Sequence, residues 1–321
     1  MQRVGNQAGL GVALLSAATF GTSGTFATSL VDSGWSPAAA VTVRVLIAAL
    51  VLTAPALYLL RGNWQLLRTS VGSTLSFGLI AVAACQLCYF NAVQRLSVGI
   101  ALLLEYLGIL LVVGWLWLRH GRRPRRLTVV GAAIAIVGLA LILDLTGHQR
   151  LDPVGVLWGL GAAVGLAVFF LLSADTGNEL PPIAMAWASM VVGGSCLALL
   201  GAAGALPMRA NTGTVRFLHH QVSWLVPVLG LALLAAVIAY ALGIQAARLL
   251  GAKLASFVGL SEVLFAVLFA WLLLGELPRG IQILGGVFIV GGVTLVRIDE
   301  LRGDAAAQLV LPERITVSAA R

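Results

Sequence analysis

Ten long apolar runs, separated by polar connectors, constrain the fold of this sequence more than any other feature. A helix of about 20 apolar residues spans the hydrocarbon core of a bilayer. Of the 321 residues, 60% are hydrophobic and 10% are charged, whereas about 25% of the residues in soluble domains are charged. Because a soluble chain of this size cannot bury so much apolar surface, we predict an all-α polytopic membrane protein with ten transmembrane helices. The candidate spans are residues 8–29, 37–60, 71–94, 97–118, 127–145, 154–174, 182–204, 223–246, 252–274 and 280–297.

The basic residues of the connectors predict how these helices are oriented. With the N-terminus in the cytoplasm, 14 of the 20 Lys and Arg residues fall on the inner side, 5 fall on the outer side, and Arg44 lies within a span. Cytoplasmic loops carry such an excess, so we expect both termini inside. The net charge of +8 is interpreted as a topological signal and not as a sign of nucleic-acid binding. The largest cluster, Arg119–Arg126, follows Trp115 and Trp117 and anchors a helix end, with anionic-lipid binding as a secondary role.

The two halves of the sequence repeat. A shift of 154 residues places residues 96–101 on residues 250–255. The same shift matches Trp117 with Trp271, Gly121 with Gly275, Pro124 with Pro278, Arg125 with Arg279 and Gly131 with Gly285. Each copy contains five spans, and because five is odd the second copy crosses the membrane in the opposite sense. Inverted repeats of this kind surround the substrate site of many secondary transporters.

This repeat sets the predicted domain organisation. Residues 1–148 form the first five-helix repeat, and residues 149–298 form the second. Residues 299–321 are polar, and we expect them to form a loosely ordered cytoplasmic tail.

Three ionisable residues lie well inside apolar runs: Arg44, Glu105 and Glu262. Each costs roughly 2.5–3.5 kcal/mol at a bilayer centre, so each needs a reason to be there. Arg44 lies about 10 Å past Pro37 and Glu105 about 12 Å past Ser97 along helices that both enter from outside, so the two reach similar depths. Either Arg44 and Glu105 form a buried pair that fixes helix packing, or Glu105 binds a proton or a substrate amine; an acid beside trapped water is the third interpretation. Glu262 maps close to Glu105 by the repeat and is an accessory candidate.

Uncharged polar side chains in other spans complete the candidate substrate- or proton-binding site. They are Gln86, Tyr89 and Asn91 in the third span, Tyr240 and Gln245 in the eighth, and Ser23 in the first. Amides are uncommon in lipid, so we expect them to line a cavity, whereas the small residues around Ser23 are also typical of close helix packing.

Several chemistries have no motif in the sequence. HExxH, P-loop and nucleophile-elbow patterns are absent, and the four histidines lie in or near connectors. Cys85 and Cys88 form a CxxC outside the strand–helix context of a redox motif, so we interpret them, with Cys196, as small buried hydrophobic residues. We therefore predict no enzyme activity, no catalytic residues, no cofactor and no metal. A membrane-embedded enzyme acting on lipid-linked substrates and a regulatory membrane protein remain the rival classes.

Three stretches of the chain resemble the EamA family of the drug/metabolite transporter superfamily. They are the Pro37…Arg44 opening of span two, Leu-Ser-Val-Gly-Ile-Ala at 96–101 and Leu-Leu-Gly-Glu at 273–276. The resemblance extends over residues 8–298, and residues 99–106 are most similar to bacterial threonine/homoserine exporters. It implies ten spans in two repeats and a cytoplasmic-membrane carrier, often an exporter of amino acids or related metabolites, in some cases coupled to protons.

The sequence departs from this family pattern at two places. The family often has a proline in or just after the acid-bearing parts of spans four and nine, where this chain has Ile109 after Gly108 and Val263 after Glu262. The residue that would break each helix is therefore missing. The first copy also has Arg122 where the second has Glu276, so the two gates need not be equivalent.

Together these patterns predict a secondary-active transporter that exports a small metabolite such as an amino acid by alternating access. Its expected partners are the lipid bilayer, a small-molecule substrate and protons, with no nucleic acid. A multidrug or lipophilic-cation exporter is the alternative within the same class, because two acids in one site also suit a cation. A monomer and a homodimer both remain open.

Overall fold

The computed structural model describes residues 2–96, 98–121, 123–143, 152–218, 220–274 and 277–318. Within them, eight helical spans are long and apolar enough to cross a membrane: Gln7–Asp32, Pro37–Leu59, Val71–Val93, Ile100–Arg119, Pro153–Ser173, Pro182–Ala202, Leu225–Gly259 and Gly280–Arg302. Two shorter apolar helices, Arg126–Ile142 and Ser261–Leu273, fall in the expected fifth and ninth spans. The mostly helical, polytopic architecture is confirmed; the number of ten crossings and the inverted repeat stay predictions. The expected repeat boundary at 148/149, with Ser97, Arg122 and Glu276, lies outside the described residues.

The helices follow the chain in this order. They are α1 (Gln2–Gly21), α2 (Ser23–Asp32), α3 (Pro37–Leu59), α4 (Gln65–Thr69), α5 (Val71–Ser76), a π-helical stretch (Phe77–Ala84), α6 (Cys85–Val93), α7 (Val98–Tyr106), α8 (Gly108–His120), α9 (Arg126–Ile142), α10 (Pro153–Ser173) and α11 (Pro182–Ala202). After strands β1 (Thr214–Phe217) and β2 (His220–Ser223) come α12 (Leu225–Ala232), a second π-helical stretch (Leu233–Ile238), α13 (Ala239–Gly259), α14 (Ser261–Phe269), a third π-helical stretch (Ala270–Leu274) and α15 (Gly280–Ser318).

Helix breaks occur where the sequence lacks proline. The fourth span is interrupted at Leu107, whose backbone N–H donates to the carbonyls of Leu103 and Leu104, each at 3.2 Å. The ninth is interrupted at Leu260, where the N–H of Val263 donates to the Leu260 carbonyl at 3.1 Å. Each turn contains a hydrogen bond from an N–H group to the carbonyl three residues earlier, as in a 3₁₀-helix. The helical geometry therefore changes at these positions although no proline is present.

A further break separates the expected eighth and ninth spans inside α13. Gly251 has φ 77° and ψ 158°, a conformation outside the helical region. Side chains other than glycine rarely adopt such a positive φ, so this glycine sets the turn between the two spans.

Helices from the first half of the sequence pack directly on helices from the second half. α3 packs on α11, and α9 packs on α15. α1 lies against α13 and α14, while α10 lies against α6, α7 and α8. Every one of these pairs joins an element from the first half with one from the second.

Four glycines bring α9 and α15 together. A Cβ at Gly138 would lie 2.6 Å from the Gly285 carbonyl oxygen, and one at Gly292 would lie 2.5 Å from the Gly131 carbonyl oxygen. Small residues allow membrane helices to approach closely enough for extensive van der Waals contact. The pair therefore forms a tight seam between the two halves.

Polar contacts connect helices at the end of the bundle where α9 begins. Lys253 lies 2.5 Å from Glu300 Oε1 and 3.9 Å from Asp299 Oδ2, measured from Nζ. The Thr128 hydroxyl donates to Asp299 Oδ2 at 2.6 Å, and Arg125 Nη1 donates to the Asp299 carbonyl at 3.1 Å. These contacts fasten α9, α13 and α15 together.

A short β-hairpin at the opposite end is an addition to the all-α architecture that the sequence predicts. β1 and β2 pair antiparallel, with Val215 opposite Val222, in the connector after α11. The rings of Phe217 and Phe26 stack with centroids 5.3 Å apart, and Trp35 Nε1 donates to the Asn211 carbonyl at 2.7 Å. The hairpin is too short for a period-of-two pattern to stand out beside the long apolar runs.

The last helix extends into the segment expected to form a tail, and the loose order of that tail stays a prediction. α15 continues to Ser318, through residues 299–318 for which we expect a loosely ordered tail. The polar composition that led to this expectation disfavours a packed core, but Ala305, Ala306 and Ala307 have high helix propensity.

The glycine seam predicts a large effect of one added side chain. We expect Gly138→Leu to reduce stability by about 1–3 kcal/mol, because backbone atoms of α15 cannot move aside easily. Gly291→Leu is the matched control, since a Cβ there meets nothing within 4 Å. Thermal unfolding in detergent measures the difference, and equal melting temperatures for the two variants would contradict a close-packed seam.

Candidate functional site

A cavity of about 300 Å³ lies between the two halves and contains all three ionisable residues predicted for the site: Arg44, Glu105 and Glu262. α1, α2 and α3 line one side of it, and α6, α7, α10, α13 and α14 line the others. Apolar and aromatic side chains form most of the remaining wall, among them Phe20, Phe90, Phe169 and Phe170. The cavity therefore combines a few charges with an extensive aromatic surface.

Arg44 is the cation of this cavity. Its helix, α3, starts at Pro37 with a cap in which Ala39 N–H donates to the Ser36 hydroxyl at 3.3 Å, and this places Arg44 two turns inside the bundle. The residue is only 7% exposed, and its Nε has no hydrogen-bond partner among the residues that the structure describes. Leaving a buried donor unpaired is costly, so the guanidinium is prepared to receive an anionic group.

The direct ion pair considered for Arg44 and Glu105 is not formed. Among the described residues, no carboxylate oxygen lies within 4.0 Å of the Arg44 guanidinium nitrogens. Arg44 nevertheless interacts electrostatically with Tyr240, Glu262 and Glu105. The three charged side chains therefore line one cavity without a direct ion pair between Arg44 and either acid, as side chains around a bound ligand often do.

Glu105 has a partner that the sequence analysis missed. The Cys85 thiol donates to Glu105 Oε1 at 3.5 Å, and the same sulfur lies 3.5 Å from the Ala162 carbonyl oxygen. Gly165 permits this approach of α6 and α10, because a Cβ there would lie 2.4 Å from Cys85 Cβ. Interpreting Cys85 only as a small hydrophobic residue was therefore incomplete. A CxxC pattern does not reveal which chain segment will face a thiol.

Glu262 occupies the first turn of α14, directly after the break at Leu260. A helix N-terminus favours a negative charge. Tyr106, at the end of α7, interacts with the Glu262 side chain. Gly21 of α1 packs on the same turn, since a Cβ there would lie 3.0 Å from the Glu262 carbonyl oxygen. The turn is thus held between α7 and α1.

Four of the predicted uncharged residues also line the cavity: Gln86, Tyr89, Tyr240 and Ser23. Tyr240 interacts with Gln86. The Tyr240 ring lies 5.2 Å from that of Phe20 and 5.6 Å, edge to face, from that of Phe169. Tyr240 is therefore fixed by aromatic packing with its hydroxyl near polar groups.

Asn91 and Gln245 are not among the side chains that line this cavity, and a binding role for either stays a prediction. Asn91 Nδ2 donates to the Leu87 carbonyl of its own helix at 2.8 Å. Two residues advance a helix by about 200°, so Asn91 points away from the face that carries Tyr89. Gln245 follows Tyr240 by five residues along the same helix, a rotation of about 500°, so the two side chains point in different directions.

No group of three or more His, Cys, Asp or Glu side chains is placed to hold a metal ion within the described part of the chain. The side chains that line the cavity offer ionic contacts, hydrogen bonds, proton binding and aromatic packing.

Gly24 offers a way to narrow the cavity without a clash. It lines the cavity, and a Cβ there meets nothing within 4 Å. We expect Gly24→Leu to slow the reaction of Cys85 with N-ethylmaleimide several-fold in a Cys88→Ala/Cys196→Ala background. Gly11→Leu is the control, because Gly11 is an equally open glycine outside the cavity. Labelling rates in detergent, with melting temperatures recorded for each variant, provide the measurement; equal rates would show that Cys85 is not reached through this cavity.

Comparisons with known proteins place this geometry in a family. A solved crystal structure superimposes with a TM-score of 0.73, covering 90% of this chain and 96% of that chain at 19% sequence identity, a similarity of fold. A 105-residue region is 28% identical to "Uncharacterized transporter YwfM" of Bacillus subtilis (strain 168), covering 31% of this chain and 36% of that protein's length. The model of the EamA-like transporter family matches residues 7–144 and 153–298. Because this match covers most of the chain, the protein is a member of the EamA-like transporter family, within the drug/metabolite transporter superfamily.

Proposed function

We propose that this membrane transporter is a secondary-active exporter of amino acids or closely related zwitterions in the cytoplasmic membrane, working by alternating access. The observation that carries the proposal is the cavity in which Arg44, with no ion-pair partner in the described part of the chain, shares the lining with Glu105 and Glu262. Export, rather than import, is carried over from the resemblance of residues 99–106 to threonine/homoserine exporters.

A zwitterion fits the charges of this cavity. Its carboxylate would bind the guanidinium of Arg44, where charge-assisted hydrogen bonds are stronger than neutral ones. Its amine would bind Glu105 or Glu262, and the second acid would be free to bind a proton. An isolated carboxylate away from water is costly, so protonation of one acid when the site is empty would supply the coupling to a proton gradient.

Alternating access is supported by the way corresponding features recur in the two halves. π-helical stretches begin at Phe77 and Leu233, and helix breaks fall at Leu107 and Leu260. α10 packs on the third and fourth spans of the first half, as α1 does on the corresponding helices of the second half. The proposal thus retains ten spans in two inverted repeats, with an even number of crossings and both termini in the cytoplasm.

Lipophilic cations are the second candidate class of substrate. Glu105 and Glu262 share the cavity with Arg44, and the aromatic side chains of Phe20, Phe169 and Tyr240 also line it. Cations bind such faces as well as carboxylates. The two classes differ in what they require of Arg44, which a zwitterion needs and a cation does not.

Glu105→Gln tests proton coupling. A comparison of metabolites in cells with and without the protein first identifies the substrate, and efflux is then measured from proteoliposomes at several pH values. We expect Glu105→Gln to abolish the pH dependence of efflux, because an amide cannot exchange a proton. Glu179→Gln is the control, since Glu179 is exposed in the connector before α11. Unchanged flux and an unchanged pH profile would remove Glu105 from the mechanism.

Arg44→Gln separates the two substrate classes. Truncating one partner of a buried charge pair costs about 2–5 kcal/mol. For a zwitterion the half-saturating concentration should therefore rise roughly thirtyfold or more, with partial recovery in Arg44→Lys. Arg68→Gln, at an exposed connector arginine, should change nothing. Normal or improved transport by a correctly folded Arg44→Gln protein would favour the lipophilic cation.

A further inference from the structure

We propose that an open groove beside α8 binds one anionic phospholipid of the cytoplasmic leaflet. The groove, called here the inner groove, has a volume of about 1560 Å³ and is separate from the central cavity. α8 and the second half of α10 form its sides, and residues around Gly251, Asp299 and Glu300 close its end. Its assignment to the cytoplasmic leaflet rests on the proposed topology, but lipid binding itself does not.

The long wall of the inner groove is apolar and open. Leu110, Trp115 and Val164 line it and are 41%, 56% and 49% exposed. In a transmembrane segment, apolar side chains with this exposure face lipid. The surface therefore accommodates an acyl chain without burying any polar backbone group.

The length of the inner groove matches one leaflet. From Leu110 to Arg119 the helix rises about 13.5 Å at 1.5 Å per residue. Half of a hydrocarbon core of about 30 Å is about 15 Å. An acyl chain lying along α8 would thus reach from near the midplane to the headgroups, where tryptophans such as Trp115 and Trp117 concentrate.

The headgroup end of the inner groove carries free positive charge. Arg119 and Arg123 line it, and neither has a carboxylate within 4.0 Å among the described residues. The three acids that line the groove are Asp175, Asp299 and Glu300. Asp299 and Glu300 are held by Lys253, while Asp175 accepts the Gly177 N–H at 3.0 Å.

This arrangement selects an anionic lipid over a zwitterionic one. Two arginines can bind a phosphate through several charge-assisted hydrogen bonds, and basic clusters next to a membrane helix attract anionic headgroups. A phosphatidylcholine headgroup would bring its quaternary ammonium towards Arg119 and Arg123, which repel it. The occupant is therefore a phospholipid with a net negative headgroup, such as phosphatidylglycerol.

Tryptophan quenching in nanodiscs tests the proposal. Brominated acyl chains quench the fluorescence of nearby tryptophans. The part of this quenching that is lost in the Trp115→Phe/Trp117→Phe variant is the part that comes from the groove. We expect brominated phosphatidylglycerol, as a minor component in phosphatidylcholine, to quench this part much more than brominated phosphatidylcholine at the same fraction. Arg119→Gln/Arg123→Gln should reduce the preference roughly tenfold or more. Arg61→Gln/Arg68→Gln removes the same charge from an exposed connector and should keep the preference.

A second variant tests the apolar half and does not depend on the arginines. Gly114 lines the inner groove, and a Cβ there meets no described atom within 4 Å, so Gly114→Leu should narrow the groove beside Trp115 and reduce quenching by the brominated acyl chain. Gly291→Leu, an open glycine on α15, should not. Equal quenching by the two lipids, loss of preference in the Arg61/Arg68 control, or stronger quenching by aqueous iodide than by brominated lipid would overturn the proposal. The last result would identify a water-filled vestibule.

Discussion

The cost of placing charge among lipid tails governs this structure. Arg44, Glu105 and Glu262 can lie at membrane depth only because helices from both halves enclose a cavity around them and keep them from the lipid tails. Since no direct ion pair joins Arg44 to either acid, the charges are not compensated as a structural salt bridge would be. In the function we propose, a ligand, a proton or water completes the site, which would connect the packing of the helices to transport.

Close helix packing and local breaks together create that cavity. The seam between α9 and α15 joins the halves rigidly, because glycine backbones touch there. The turns at Leu107 and Leu260 interrupt the two helices that carry the acids, next to Tyr106 and Glu262, which both line the cavity. Ion pairs of Lys253 connect helices at one end of the bundle, and the hairpin packs at the other end through the Phe217 and Phe26 rings.

Much of the fold and the charged site could be predicted from the sequence. Hydropathy alone placed the spans, because a run of about 20 apolar residues matches the thickness of a bilayer. Arg44, Glu105 and Glu262 stood out because ionisable residues are rare in such runs. Their arrangement around one cavity followed from equal depth along helices, while their functional roles stay predictions.

The parts that could not be predicted depend on which side of a helix faces inward. Asn91 and Gln245 share spans with Tyr89 and Tyr240 but lie on other faces, and a run that is apolar all round gives no direction to choose. Cys85 reaches Glu105 only because Gly165 lets α6 approach α10, a contact between distant residues. The breaks at Leu107 and Leu260 had no proline signal. In each case tertiary packing decided the outcome.

Labelling from both sides of the membrane tests alternating access most directly. Ser23 lines the cavity, and Ser23→Cys in a background with Cys85→Ser, Cys88→Ala and Cys196→Ala provides one reporter thiol. With an impermeant thiol reagent applied to one side of oriented vesicles at a time, the account predicts labelling from each side, with substrate changing the ratio of the two rates. Labelling from one side only, with and without substrate and at every pH, would contradict a cavity that opens alternately.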